Sequence, residues 1–127
     1  MKFDEHQVAE WRQMEERGYI DIFPGTGALL RTGFAQAIDP DYVCLLWDRS
    51  SMGGGKMVHR FAGVIDSDYR GEWFVRLFNH STKPYRIAPG DKIVQGIYQL
   101  RTEAECPIVD SLPASGRGTG GFGSTGK

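Results

Sequence analysis

The sequence predicts one all-β domain, a sandwich or a barrel, with a short helix before it and a glycine-rich tail after it. Three observations support this prediction. Between residues 19 and 100, short segments rich in β-branched and aromatic residues alternate with turn residues at intervals of roughly ten. The first 17 residues contain no glycine or proline, whereas six of the last thirteen residues are glycine. A chain of 127 residues has the length of a single domain.

The N-terminal segment, residues 1–17, is rich in helix-forming side chains. Asp4 is a candidate N-cap and Gly18 a candidate stop signal. The apolar residues form only a partial stripe, made of Phe3, Val8, Trp11 and Met14. We therefore expect a short amphipathic helix in this segment.

Seven candidate strands follow, at residues 19–23, 28–32, 42–48, 57–61, 72–78, 85–87 and 92–100. The predicted turns between them are at residues 24–25, 39–41, 53–55, 79–84 and 89–91. In the strand at 72–78 both faces carry apolar groups, since Phe74 and Phe78 alternate with Val75 and Leu77. Such a strand is central in its sheet, or its second face meets a partner subunit.

Composition excludes several classes of protein. Fifteen basic and sixteen acidic side chains leave a net charge of −1, which argues against a general nucleic-acid binder and a disordered chain. No apolar run approaches the roughly 18 residues of a membrane-spanning helix. We expect a soluble protein of the cytoplasm, or of the host cytoplasm if it is viral, with no nucleic-acid or membrane partner. Cys44 and Cys106 have no metal-ligand or redox spacing, so both are predicted to be buried free thiols.

The densest cluster of chemically active residue types follows the apolar pair Val64-Ile65. In extended geometry Asp66 and Asp68 would project to the same side, and Tyr69 and an Arg-Gly turn come directly after them. Carboxylates in this arrangement can act as a general base or as ligands of a hard cation such as Mg²⁺. They can equally be turn formers. The residues alone leave these interpretations open.

A second cluster, residues 48–56, comes at the end of the predicted strand 42–48. It offers the cation of Arg49, the hydroxyls of Ser50 and Ser51, and three glycines, all of which suit phosphate oxygens. A surface turn has the same composition, and that interpretation also stays open. His59 and the other two histidines share no ligand spacing with one another or with the cysteines, so a zinc site is not expected.

The glycine-rich tail, residues 115–127, is expected to be mobile because ordering glycine costs more backbone entropy than ordering other residues. One interpretation is a frayed terminus. The other is an anion-binding lid, in which the cations of Arg117 and Lys127 meet phosphate and the ring of Phe122 stacks on a base.

Taken in order, these clusters resemble the motifs of the trimeric dUTP diphosphatase (dUTPase) family. Residues 63–72, Gly-Val-Ile-Asp-Ser-Asp-Tyr-Arg-Gly-Glu, resemble its third motif, and residues 117–126, Arg-Gly-Thr-Gly-Gly-Phe-Gly-Ser-Thr-Gly, resemble its fifth. Arg49-Ser50-Ser51 is similar to the second motif, and residues 90–95, Gly-Asp-Lys-Ile-Val-Gln, are similar to the fourth. The resemblance runs from about residue 20 to the C-terminus.

The resemblance implies a subunit with a distorted β-barrel or jelly-roll fold in a homotrimer whose three active sites lie at the subunit contacts. The implied reaction is Mg²⁺-assisted hydrolysis of dUTP to dUMP and pyrophosphate, by attack of water at the α-phosphate. Such a reaction limits uracil in DNA and supplies dUMP for thymidylate synthesis. In this scheme the metal is held through the triphosphate and water rather than directly by protein side chains.

The resemblance also assigns roles by position. Asp66 would activate the attacking water, and Tyr69 would pack against the deoxyribose and disfavour a ribose. A hairpin would recognise uracil through its backbone groups, and its residues are Phe61, Ala62 and Gly63. The phosphate contacts would come from Arg49, Ser50, Ser51 and Gln95. The C-terminal arm would close the site with Arg117 at the terminal phosphate and Phe122 over the base, and Gly123 and Ser124 would also bind the substrate.

Two features depart from the family pattern. Asp48 stands where the family usually has proline, and the family's first motif, an Ala-Gly-x-Asp-Leu type strand upstream of Pro24, has no counterpart. We therefore divide the chain into an atypical N-terminal helical segment at 1–17, a β-barrel domain at 18–112 and a flexible arm at 113–127. Two other hypotheses remain: a protein of this fold that binds the uracil nucleotide without turning it over, and a member of the related dCTP deaminase branch.

Overall fold

The computed structural model describes residues 3–120. In order along the chain, its helices and strands are α1 (Glu5–Arg17), β1 (Ile20–Ile22), β2 (Gly27–Arg31), β3 (Tyr42–Trp47), α2 (Ser50–Lys56), β4 (Val58–Phe61), β5 (Val64–Ile65), β6 (Phe74–Asn79), β7 (Tyr85–Ile87) and β8 (Gln95–Leu100). Every predicted strand overlaps one of these strands. The all-β prediction is therefore confirmed.

The strands form three antiparallel sheets with the orders β2-β6-β4, β5-β3-β8 and β1-β7. Of the two interpretations of the strand at 72–78, the structure shows the central position, since β6 lies between β2 and β4. Its Val75 and Leu77 lie in the core, while Phe74 and Phe78 are half-buried on the other face. The core residues are Ile20, Ile22, Ala28, Leu30, Ile38, Cys44, Leu46, Met52, Val58, Trp73, Val75, Leu77 and Ile87.

The predicted N-terminal helix is present and its caps are local. The carboxylate of Asp4 accepts a 2.8 Å hydrogen bond from the backbone N–H of Gln7, whose side chain accepts one of 3.1 Å from the N–H of Asp4. At the other end Gly18 takes the left-handed conformation, with φ of 73°, and donates to the carbonyl of Met14. Sequence-local signals therefore fix both ends of α1.

Helix α1 lies against the open edge of β2, which pairs only with β6 in its sheet. The indole of Trp11 donates to the carbonyl of Leu29 over 2.7 Å, and the buried carboxylate of Glu10 accepts from the N–H of Leu29 over 3.2 Å. The Trp11 ring also contacts Phe3 and Phe74, with centroids 4.6 and 5.8 Å away. The helix thus covers strand-edge groups that would otherwise face solvent.

Residues 53–55 were predicted as a turn, and this prediction is wrong because they lie inside α2. Glycine has poor helix propensity, so tertiary contacts decide the conformation. Met52 is 3% exposed and anchors the helix in the core. Gly53 faces Asp48 so closely that a Cβ there would lie 2.9 Å from the Asp48 Cβ and Oδ2 atoms.

The prediction for the two cysteines is half right. Both are free, and Cys44 is buried in β3, but Cys106 is exposed. The reason is that residues 101–119, which follow β8, are exposed throughout. Within residues 3–120, no helix has the length and apolar character needed to cross a membrane.

Candidate active site

One group of predicted site residues gathers where β3 ends. Trp47 pairs with Gln95 at the last position of the β3–β8 ladder, and Arg49 is the N-cap residue of α2. The Gln95 amide donates to the Asp48 carbonyl over 2.9 Å, and the Arg49 guanidinium donates to the Lys92 carbonyl over 3.0 Å. The exposed residues Ser50 and Ser51 begin α2. A cation, an amide and two hydroxyls thus lie at one surface, as a phosphate-binding site requires.

The carboxylate of Asp48 is held by β4. Its Oδ1 accepts from the Arg60 N–H over 3.0 Å, and its Oδ2 lies 2.5 Å from Nδ1 of His59. Burial alone would raise the pKa of Asp48, but the hydrogen bonds from Arg60 and His59 and their charges outweigh it, so the pKa lies below its usual range. The carboxylate next to Arg49 is therefore held by β4, which belongs to the other three-stranded sheet.

The turn at residues 61–63 is a corner between two sheets and not a hairpin, because β4 pairs with β6 whereas β5 pairs with β3. Ala62 and Gly63 both have positive φ, of 61° and 118°. Their carbonyls are engaged: Ala62 accepts from the Arg60 guanidinium over 2.6 Å and Gly63 accepts from the Leu46 N–H over 2.7 Å. The turn borders a cavity of about 300 Å³ and leaves the Phe61 ring exposed.

Asp66 follows β5 directly, and the chain then turns instead of continuing as an extended strand. The N–H of Tyr69 donates to the Asp66 carbonyl over 3.2 Å, and the Tyr69 hydroxyl donates to the Glu72 carbonyl over 2.9 Å. Because of this turn, Asp66 and Asp68 do not form the same-side pair of an extended strand. Asp66 is exposed, while Tyr69 is half-buried against the core.

Asp66 and Arg49 lie at opposite ends of β3. Cys44 pairs with Ile65, so Asp66 comes opposite the start of β3, whereas Arg49 follows its end. In this register Asp66 lies opposite Val43, and Arg49 is six positions further along the chain, or about 20 Å if that chain is extended throughout. Along β3, the candidate water-activating carboxylate and the candidate phosphate-binding residues of one chain are therefore on opposite sides of the strand's midpoint.

The C-terminal arm is only partly described. Arg117 is exposed, and its Nε donates to the Gly120 carbonyl over 2.8 Å within a turn. The predicted residues Phe122, Gly123 and Ser124 lie outside the described residues.

Comparison with known proteins identifies the family. A family model described as dUTPase matches residues 16–126. The chain belongs to the dUTPase family. The deoxyuridine 5'-triphosphate nucleotidohydrolase of Chromobacterium violaceum is 40% identical over 111 residues, covering 85% of this chain and 74% of the relative. The enzyme of the same name from Psychromonas ingrahamii is 38% identical over 130 residues, covering 97% and 86%.

The fold agrees with this dUTPase assignment. A Staphylococcus bacteriophage 80alpha dUTPase solved with dUpNHpp superposes with a TM-score of 0.78, covering 86% of this chain and 81% of that one at 24% identity. The dUTPase family model begins at residue 16, whereas α1 spans Glu5–Arg17. Most of α1 therefore precedes the part of the chain that the family model matches.

Residues 3–120 contain no group of three or more His, Cys, Asp or Glu side chains placed to hold a metal ion.

Two residues near Arg49 and Gln95, Asp48 and His59, were not among the site residues predicted from the sequence. Asp48 was noted only as a departure from the family pattern, and His59 only as an unsuitable zinc ligand. Their contact joins positions eleven residues apart on strands of two different sheets. No local spacing signals such a pair.

Proposed function

We propose that this protein hydrolyses dUTP to dUMP and pyrophosphate. The observation that carries the proposal is the placement of Arg49 and Gln95 at one surface at the end of β3, in a chain of the dUTPase family. Relatives at 38–40% identity are deoxyuridine 5'-triphosphate nucleotidohydrolases. The reaction limits uracil in DNA and supplies dUMP for thymidylate synthesis.

The active site is shared between the subunits of a homotrimer. The separation of Asp66 and Arg49 along β3, about 20 Å if the chain between these positions is extended, supports this assembly. All six residues of β8 are exposed, including the apolar Ile97, Tyr98 and Leu100. Exposed apolar surface of this kind is typical of subunit interfaces.

Each group has a role that its surroundings permit. The exposed carboxylate of Asp66 accepts a proton from the attacking water. Arg49, Ser50, Ser51 and Gln95 bind the phosphates, where Arg49 offsets the charge that builds up on the oxygens. The hydroxyl of Tyr69 is fixed on the Glu72 carbonyl, so the ring has one orientation toward the deoxyribose.

Uracil is recognised by the turn at 61–63. Two of its carbonyls are already engaged by Arg60 and Leu46, which fixes the turn before the nucleotide arrives. A fixed pattern of donors and acceptors rejects cytosine, because a mismatched base leaves buried polar groups unpaired. The arm then closes the site with Arg117 at the terminal phosphate and Phe122 over the base, and Gly123 and Ser124 are further substrate-binding residues.

Mg²⁺ would be held through the triphosphate and water rather than directly by side chains of the protein. When bound, it supplies positive charge to the phosphate oxygens and so assists displacement of pyrophosphate. The protein acts in the cytoplasm, or in the host cytoplasm if it is viral, with the nucleotide as its partner and without nucleic acid or membrane.

The test is release of pyrophosphate from dUTP, dTTP, dCTP and UTP by the purified protein with and without Mg²⁺. We expect Mg²⁺-dependent activity on dUTP alone and its loss in Asp66→Asn. Calorimetry with dUMP tests for the non-catalytic binder, which would bind without hydrolysis. Ammonia release from dCTP would instead assign the protein to the deaminase branch.

A further inference from the structure

Asp48 connects the two three-stranded sheets at the place where the phosphate-side residues lie. It follows the last residue of β3, in the sheet β5-β3-β8. Its carboxylate is bound by His59 and by the N–H of Arg60, both on β4, in the sheet β2-β6-β4. The side chain therefore ties the end of one sheet to the other.

The close fit of α2 supports a specific role for this carboxylate. A Cβ at Gly53 would lie 2.9 Å from both the Cβ and the Oδ2 of Asp48. Only glycine lets the first turn of α2 approach the carboxylate without a shift. Asp48 is thus enclosed by β4 on one side and by α2 on the other.

The backbone of Asp48 leads directly to two candidate phosphate ligands. Its carbonyl accepts from the side-chain amide of Gln95 over 2.9 Å, and Arg49 is the next residue. A side-chain amide nitrogen carries two hydrogens, so this contact orients Gln95 and leaves a second donor for a phosphate oxygen. The Arg49 guanidinium uses one of its five donors on the Lys92 carbonyl and keeps others for the nucleotide.

We propose that Asp48 is the positioning residue of the phosphate site: its carboxylate, bound by β4, fixes the peptide that orients Gln95 and carries Arg49. This inference rests on the proposed function, in which both residues bind the phosphates. Asp48 itself does not touch the nucleotide. His59 completes the arrangement through the contact of its Nδ1 with Oδ2 of the carboxylate.

The experiment compares Asp48→Ala and Asp48→Asn with a matched control, Asp21→Ala. Asp21 forms a two-bond ion pair with Arg86 between β1 and β7, and its side chain is 25% exposed against 22% for Asp48. Binding of dUMP and of a non-hydrolysable dUTP analogue is measured by calorimetry, alongside KM and kcat for dUTP. Circular dichroism verifies that each variant is folded.

We expect Asp48→Ala to weaken binding of the triphosphate analogue roughly tenfold and binding of dUMP less than about threefold. The reason is that the substitution leaves Arg49 and Gln95, the candidate phosphate ligands, less well oriented. KM should rise by a similar factor with kcat changed less than about twofold, as contacts made equally in ground and transition states affect KM alone. Asp48→Asn, which keeps an acceptor for the Arg60 N–H, should fall between wild type and Asp48→Ala. Asp21→Ala should match wild type.

If Asp48→Ala weakens the binding of dUMP and of the analogue equally, or weakens neither, the positioning role is overturned. The proposed function still stands in that case, provided that the wild-type protein binds the nucleotides. If Asp48→Ala does not fold, Asp48→Asn and His59→Gln carry the same comparison. Wild-type protein that binds neither nucleotide overturns the proposed function and this inference together.

Discussion

Trp11 donates its indole N–H to the carbonyl of Leu29, so a helix side chain occupies a position on β2 where a neighbouring strand would otherwise pair. The same Leu29 donates its N–H to Glu10, the residue before Trp11. Both outward backbone groups of one strand residue are therefore satisfied by two consecutive residues of α1. This contact attaches the N-terminal segment to the barrel.

Replacing Trp11 with Phe keeps an aromatic ring beside Phe74 but removes the hydrogen bond to Leu29. We expect a loss of about 1 kcal/mol in the free energy of unfolding, measured by urea denaturation, because an unpaired carbonyl remains at the strand edge. Gln13→Ala, at an exposed position on the same helix, is the control and should change stability by less than about 0.5 kcal/mol. Equal stability of Trp11→Phe and wild type would show that the edge contact contributes nothing.

Two inactive variants should restore each other's activity if the sites are shared. Asp66→Asn lacks the base and Arg49→Ala lacks the phosphate contact, yet a mixed trimer contains sites that combine an intact Asp66 with an intact Arg49. Refolding the two together in equal amounts should restore roughly a quarter of wild-type activity by random assembly. Pyrophosphate release is the measurement. Activity no higher than that of the separate variants would contradict sites shared between chains.

Gly53 and Gly54 are neighbours in α2, and we expect different effects on stability when each is replaced by alanine. A Cβ at Gly54 meets nothing within 4 Å, so Gly54→Ala should stabilise the protein by up to about 1 kcal/mol through helix propensity. A Cβ at Gly53 would meet Asp48 at 2.9 Å, so Gly53→Ala should lose that gain and raise KM for dUTP. Thermal denaturation and steady-state kinetics separate the two outcomes. Matching behaviour of the two variants would argue against the close packing of α2 on Asp48.

Low pH should weaken the contact between the Asp48 carboxylate and β4, which connects the two three-stranded sheets. The pKa of Asp48 is lowered although its burial opposes this, since the hydrogen bonds from Arg60 and His59 prevail. Its contribution to stability is therefore present above the unfolded pKa of about 3.9 and is lost as the pH falls through the lower folded value. The stability difference between wild type and Asp48→Asn should be largest above about pH 5 and shrink toward about pH 3.

Urea denaturation at a series of pH values measures this difference, with Asp110→Asn, in the exposed segment after β8, as the control. A difference between wild type and Asp48→Asn that stays constant over this range would mean that the carboxylate charge does not contribute.

Sequence-local features proved predictable. The ends of α1 follow from Asp4 and Gly18. The two apolar faces of the strand at 72–78 left a central position or a subunit contact open, and the structure shows the central position. Features that depend on distant partners were not. Helix α2 contains three glycines and forms because Met52 reaches the core, which no propensity reveals.

In the candidate site too, the residues that belong to local motifs were predicted, whereas the contacts between distant residues were not. Arg49, Ser50 and Gln95 were chosen by motif, and the structure brings them to one end of β3. The contact of Asp48 with His59 was not predicted, since it depends on how two sheets meet. The hairpin at 61–63 was expected only from the family resemblance, and the strands on either side of this turn pair with other strands instead.

The turn at 61–63 also bears on which substitutions the chain can tolerate. Gly63, at φ of 118° and with the Leu46 carbonyl oxygen 3.0 Å from where a Cβ would lie, is required by the backbone whether or not a nucleotide ever binds. Gln95, exposed at the end of a ladder, is under no such demand. In a library of variants selected only for folding, position 63 should remain glycine while position 95 varies freely. Selection for dUTP hydrolysis should restrict both.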